Sequence, residues 1–283
     1  MAMAASLGNS RAPAAAVPLA ARVGLAENTA ARLWLQVSLV VLAIALPTAF
    51  AAALDGRTLD GVSVWAKPLK FQLAVPVHFV TLAAVASLLS DRVRHGRLLM
   101  VTAWASAAAG LFEIAYITAQ AARGRHSHFN GETTFEFAMY AAMGIGAVVL
   151  VAASAVVGVL VLRSARPGVG AGLRWGAGVG LVAGSLLTLV VAGYLSSHGG
   201  HGVGGMPGDA AGMPVTGWST TGGDLRVSHF FATHMMQALP LVGLVADRIA
   251  GGRSRTVVLV AAGLWTALVI ATFVQALAGQ PVL

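Results

Sequence analysis

The chain contains no cysteine. That removes disulfides, thiolate metal sites and cysteine nucleophiles together. Charge is also scarce. Only 10% of the 283 residues are charged, and 10 are acidic against 18 Lys and Arg, where a soluble domain carries about 25% charged residues. A chain with 57% hydrophobic residues and a mean hydropathy of +0.80 has too little polar surface to clothe itself in water, so membrane insertion is expected. The net charge of +8 does not point to nucleic acid. The cations sit in short clusters between apolar runs and form no basic face. No P-loop, dinucleotide fingerprint, HExxH or serine elbow stands in a credible setting.

What the chain does have is long apolar runs. Seven segments, near 33–54, 67–90, 98–121, 135–163, 173–195, 227–247 and 255–278, are each long enough to cross about 30 Å of hydrocarbon. Each must be helical, because lipid offers backbone groups no partners. The expected fold is an all-α integral membrane protein, a seven-helix bundle filling residues 33–283. Residues 1–32 read as a disordered cytoplasmic tail. The Gly- and Pro-rich stretch 196–223 lacks periodicity and reads as an external loop or lid. In the fifth segment Gly172, Gly176, Gly180 and Gly184 share one face, so that a neighbouring helix can approach closely.

Orientation follows from Lys and Arg. Arg11, Arg22 and Arg32 precede the first segment. Arg92, Arg94 and Arg97 lie between the second and third, Arg163, Arg166 and Arg174 between the fourth and fifth, and Arg248, Arg253 and Arg255 between the sixth and seventh. These 12 of the 18 basic residues predict a cytoplasmic N-terminus and an external C-terminus in a bacterial-type inner (plasma) membrane.

The polar residues within the spans are not scattered. In the second segment Lys67, Lys70, His78 and Thr81 fall within about 80° at 100° per residue. Glu113, Tyr116 and Gln120 share a face of the third, extended by Arg123; Glu132, Glu136 and Tyr140 align on the fourth. On the sixth, Arg226, His229, Thr233, His234 and Gln237 cover about 140°. Intramembrane ionisable groups face the bundle interior, because facing lipid costs several kcal/mol. The simplest packing turns the four stripes toward one another. At 1.5 Å rise per residue, His78, Glu113 and His234 lie roughly 11–17 Å in from the external helix ends, in one layer.

Two imidazoles and a carboxylate at one depth could ligate zinc, iron or copper, with His229 as a fourth candidate. Two imidazoles alone could hold a haem. Lys67, Lys70, Arg123 and Arg226 would then form an anionic-group rim for propionates or a substrate head group. Glu113, Tyr116, Gln120 and Gln237 are the candidate catalytic or substrate-contacting groups. The function expected is a membrane-embedded enzyme or redox protein acting on a small-molecule, lipid or quinone substrate. The alternatives are a proton- or ion-coupled transporter and a ligand-binding sensor or assembly factor. The polarity stops near the midplane, which disfavours a through path.

Two smaller stretches carry competing readings. WAKPLKF places Pro68 in the first helical turn, where its missing N–H costs nothing. Its two lysines fit either an anion clamp or snorkelling. In ARGRHSHFNGET, Asn130 or Thr133 can cap the fourth helix, with Glu136 at the capping-box spacing from Thr133. The zinc-ligand pattern of the seven-helix ceramidase and adiponectin-receptor group, Ser-x-x-x-His with His-x-x-x-His, is not met. Ala74 stands at the serine position before His78, and His229 and His234 are five apart.

Overall fold

A computed structural model describes residues 28–206 and 212–282. Most of the 1–32 tail lies outside the described residues, and nothing tests its expected disorder. Seven helices are long and apolar enough to span a bilayer. They are α1 (Thr29–Leu54), α2 (Ala66–Ala86), α3 (Arg97–Ala122), α4 (Thr134–Ser164), α5 (Ala171–Ser197), α6 (Leu225–Ile249) and α7 (Ser254–Leu277). The protein is a polytopic helical bundle.

The ends are set by caps that hydropathy does not report. α1 starts at Thr29, four residues before the apolar run, because the Asn28 side chain accepts from the Ala31 amide at 3.0 Å. Asp224 caps α6 by accepting from Arg226 N at 2.9 Å. Thr133 caps α4 by accepting from Glu136 N at 3.2 Å. Each satisfies one of the orphan amides of a helix start. α5 has no cap of its own. Asp247, near the end of α6, reaches across and accepts from Gly172 N at 2.7 Å and Leu173 N at 2.8 Å.

Packing divides the bundle. α1, α2 and α3 form one group. α5, α6 and α7 form a second, and α4 joins them by packing on α3 and α5. The tightest seam is α5 on α6, and the glycine repeat makes it. A Cβ at Gly172 would lie 2.5 Å from Gly243 O, one at Gly176 2.3 Å from Leu239 O, and one at Gly184 2.8 Å from Met236 Cγ. The repeat thus serves packing within the bundle. α2 and α6, by contrast, touch over only a few residues.

Two short hairpins close one end. Thr58–Leu59 pairs with Val62–Ser63 around Asp60 and Gly61, both at positive φ, the backbone an Asp-Gly two-residue turn requires. Gly202–Val203 pairs with Gly223–Asp224. The loop expected to be aperiodic is therefore anchored at its base. Beyond that base, Met213 N donates to Trp218 O at 2.7 Å and Gly212 bridges Ser219. Residues 212–219 thus form a compact flap.

Candidate functional site

The end of the bundle that carries the hairpins holds an ionic cluster. Glu136, in the first turn of α4, is 1% exposed. Its Oε1 accepts from Arg125 Nη1 at 2.6 Å and Gln120 Nε2 at 3.4 Å, with Arg123 Nη2 at 3.5 Å. Arg125 also donates to Glu132 at 2.6 Å, and Arg123 to Gln120 Oε1 at 2.7 Å. Gln120 Nε2 donates to Tyr116 OH at 3.0 Å and His126 O at 3.1 Å. Glu136 therefore does not complete the capping box. Its carboxylate turns inward, because two guanidiniums there offset more of its desolvation than one exposed amide would.

His126 extends this cluster to Asp60 of the first hairpin at 3.5 Å. His128 turns the other way. Its ring lies 5.9 Å from Phe71 and 6.0 Å from Tyr140, centroid to centroid, and Ser127 Oγ stands 3.2 Å from its Nδ1. Burial first, and the nearby Lys67 charge second, push its pKa down to about 3.

Below the cluster lies an apolar collar of Tyr116, Ile117 and Met143, packed by Phe71, Phe112 and Met139. Glu113 sits on α3 beneath it, 4% exposed, and its Oε1 has no hydrogen-bond partner. That oxygen rests on α4 where Gly146 leaves room, since a Cβ there would stand 2.9 Å from it. Lys67 is within electrostatic reach of the carboxyl. Further in, His78 of α2 has its Nε2 3.3 Å from Ser154 Oγ of α4. Gln72 of α2 donates to Thr48 of α1 at 3.0 Å and Thr118 of α3 at 3.1 Å, while its Oε1 finds no partner.

The α6 residues form a separate group. Thr233 pairs with Thr188 of α5 at 3.4 Å. His234 stacks on Phe230 at 3.9 Å and directs its Nδ1 to Phe230 O at 2.9 Å. His229 Nδ1 and Gln237 Oε1 are buried without partners. The four stripes thus resolve into a column shared by α2, α3 and α4, and a face on α6. Their physical separation follows from the packing, since α6 is held by α5 and α7 and barely meets α2.

This bears on the metal and haem expectation. Among the described residues no group of three or more His, Asp or Glu side chains stands close enough to hold a metal ion. His78, Glu113, His229 and His234 are not gathered into one ligand sphere. His78 is engaged by Ser154 and His234 by its own helix.

The expected rim divides likewise. Arg123 belongs to the Glu136 cluster. Lys70 Nζ donates to Thr216 O at 3.0 Å, and Arg226 Nη2 to Gly217 O at 2.6 Å, both in the flap. Arg226 is also paired with Asp224 at 2.7 Å. Sequence reasoning missed Gln72, which lies off the arc of Lys67 and His78. It also missed Arg125, whose position in a loop carries no helical phase. The only available signal for Gln72 was its polarity within an apolar run, shared by Thr48 and Thr118.

No protein-family model, no curated protein and no solved structure matches this chain.

Proposed function

We propose that the protein binds a small polar ligand from one side of the membrane, in the column between α2, α3 and α4, with Glu113 as its acceptor. The observation that carries this reading is the buried Glu113 oxygen with no partner. An unpaired buried carboxyl oxygen costs several kcal/mol, so retaining one inside a bundle calls for a water or ligand donor. Gln120 and Tyr116 would orient the ligand above Glu113, and His78 with Ser154 would close the floor. We read this half of the bundle as the external one, from the arginine bias of the alternate connecting segments.

The test is chemical. Closed vesicles containing the full chain would be treated with a water-soluble carbodiimide and glycine ethyl ester, and the peptides weighed. The carbodiimide activates the carboxyl, the amine forms the amide, and a urea leaves. Labelling at Glu113 in the folded protein, absent in Glu113→Gln, supports the reading. Labelling that appears only after unfolding in detergent refutes it. An absorption spectrum and metal analysis of untagged protein run alongside. A Soret band or stoichiometric zinc, iron or copper, lost in His78→Ala or His234→Ala, would replace this reading with a metal or haem centre.

A further inference from the structure

At the end opposite the hairpins, the surface of α6 and α7 carries two open grooves that join. One runs along α7, with Arg253 at its head and Val257, Ala261 and Leu264 down its wall. The other lies between the helices, lined by Ile249, Val245 and Leu241 of α6 and again by Val257. Ile249, Leu241 and Leu264 are exposed. The spacing explains the α7 groove. Arg253, Val257, Ala261 and Leu264 fall on one helical face, and the small side chain of Ala261 leaves a furrow between its larger neighbours. At 1.5 Å rise per residue, Leu264 stands about 16 Å from Arg253 along the axis. That is the depth of one leaflet, half of about 30 Å of hydrocarbon. The second branch runs about 12 Å from Ile249 to Leu241. Charge sits where the branches meet. α6 carries Arg248 in its last turn, and a 3-10 turn, Gly251–Arg253, links it to α7. Arg248, Arg253 and Thr256 are exposed. Among the described residues neither arginine is seen in an ion pair. The adjacent acid, Asp247, is committed to the amides of α5. The third cation of this connection, Arg255, lies over the Trp175 ring of α5 at 3.9 Å.

We propose that this surface binds one anionic phospholipid, with its phosphate on Arg253 and Arg248 and its two acyl chains in the two branches. A guanidinium offers a phosphate two parallel N–H donors, and the Thr256 hydroxyl, which borders the α7 groove beside Arg253, adds another. The branches converge at Val257, one turn from Arg253, as two acyl chains converge on one glycerol. A zwitterionic lipid brings a phosphate but no net charge, so the arginine pair favours a head group that is negative overall. A second copy of this chain is the other occupant that an exposed helix pair admits. A two-fold contact through this face would bring Arg253 toward its own copy, with no acid at hand to pair it, and like charges across an interface repel. The site lies at the other end of the bundle from Glu113 and does not depend on it.

The test counts bound lipid. The full chain in mild detergent is mixed with phosphatidylglycerol or phosphatidylcholine of identical acyl chains, and native mass spectrometry weighs what stays bound. Phosphatidylglycerol should be retained over phosphatidylcholine. Arg253→Gln should lower that preference about five- to tenfold, and Arg253→Lys should keep most of it, because the charge is preserved. Ala261→Leu fills the furrow and should weaken retention of both lipids with the arginines intact. Arg92→Gln is the control, an exposed arginine at the same end on the α2–α3 connection, and should leave the preference unchanged. Equal retention of the two lipids, undiminished retention in Ala261→Leu, or an equal loss in Arg92→Gln overturns the proposal. So does a two-chain species that delipidation enriches and Ala261→Leu abolishes, which would give the face to a second copy. A denaturation midpoint equal to the parent's shows in each variant that lost lipid is not lost fold.

Discussion

Replacing Gly176 by alanine adds a single methyl group at the centre of the α5–α6 seam. The added carbon would stand 2.3 Å from Leu239 O, 3.0 Å from Leu239 C and 3.3 Å from the Gly243 Cα. All three are backbone atoms, so no side chain can rotate out of the way. Ordinary contact begins near 3.4 Å, and the helices must part by about 1 Å locally. The neighbouring close approaches at Gly172 and Gly180 then lose contact as well. Overpacking of this kind costs about 1–3 kcal/mol. Part of that is offset by the better helix propensity of alanine, worth about 1 kcal/mol. Gly144→Ala isolates that offset, because nothing lies within 4 Å of a Cβ there. The assay is a denaturant titration of both variants in one mild detergent, followed by helical signal. Gly144→Ala should match or exceed the parent, and Gly176→Ala should fall below Gly144→Ala by about 1–3 kcal/mol. A Gly176→Ala variant as stable as Gly144→Ala would refute the close α5–α6 seam.

Other perturbations test the polar end. Glu136→Gln removes the buried charge that Arg125 and Arg123 share, and should cost about 2–4 kcal/mol in the same titration; a loss below 0.5 kcal/mol would mean the cluster is solvated (rough threshold). His128 has its pKa lowered to about 3, so the folded state resists a proton that the unfolded chain accepts near pH 6.5. Stability is therefore full above about pH 6.5 and falls as pH drops from there toward 3; His128→Phe should flatten that acid limb, and an unchanged limb would assign it elsewhere. Gly146→Ala pushes on the Glu113 carboxyl without removing a polar group. It should change the carbodiimide labelling rate of Glu113 several-fold while leaving the α5–α6 seam, and so the denaturation midpoint, nearly unmoved.

The seven spans were legible because lipid leaves the backbone one choice, and about twenty apolar residues advertise it. The observed helices extend the sequence-based ends by one to four residues in most places, where caps such as Asn28 and Asp224 act. The glycine repeat was legible because its period names a face. The site was legible only in part. Helical phase found which residues share a face, but not which helix that face meets. Rise per residue put His234 and His78 in one layer, yet they lie in different groups, because depth carries no azimuth. Glu136 shows the limit from another side. Its spacing from Thr133 fits a capping box, and Thr133 does cap. Its side chain, however, went to an arginine in a turn whose course no periodicity describes.

Most of the buried polar atoms without a protein partner lie on one side of the bundle, and the proposed one-sided site rests on that bias. At the end opposite the hairpins, several polar side chains close backbone or neighbour bonds. Asn28 donates to Ala86 O, Arg174 to Leu162 O, and Asp247 accepts two amides of α5. Trp34 and Ser106 bond to each other at 2.9 Å. Toward the hairpin end, Gln72 Oε1, Glu113 Oε1, Glu136 Oε2 and His229 Nδ1 have no protein partner, and neither has Gln237 Oε1 at the middle of α6. Each such atom costs about 1–3 kcal/mol unless something else satisfies it. Five together approach the whole stability of a typical domain, about 5–15 kcal/mol. On the proposed reading, water or ligand supplies the partners of these five atoms, and reaches most of them from the hairpin end.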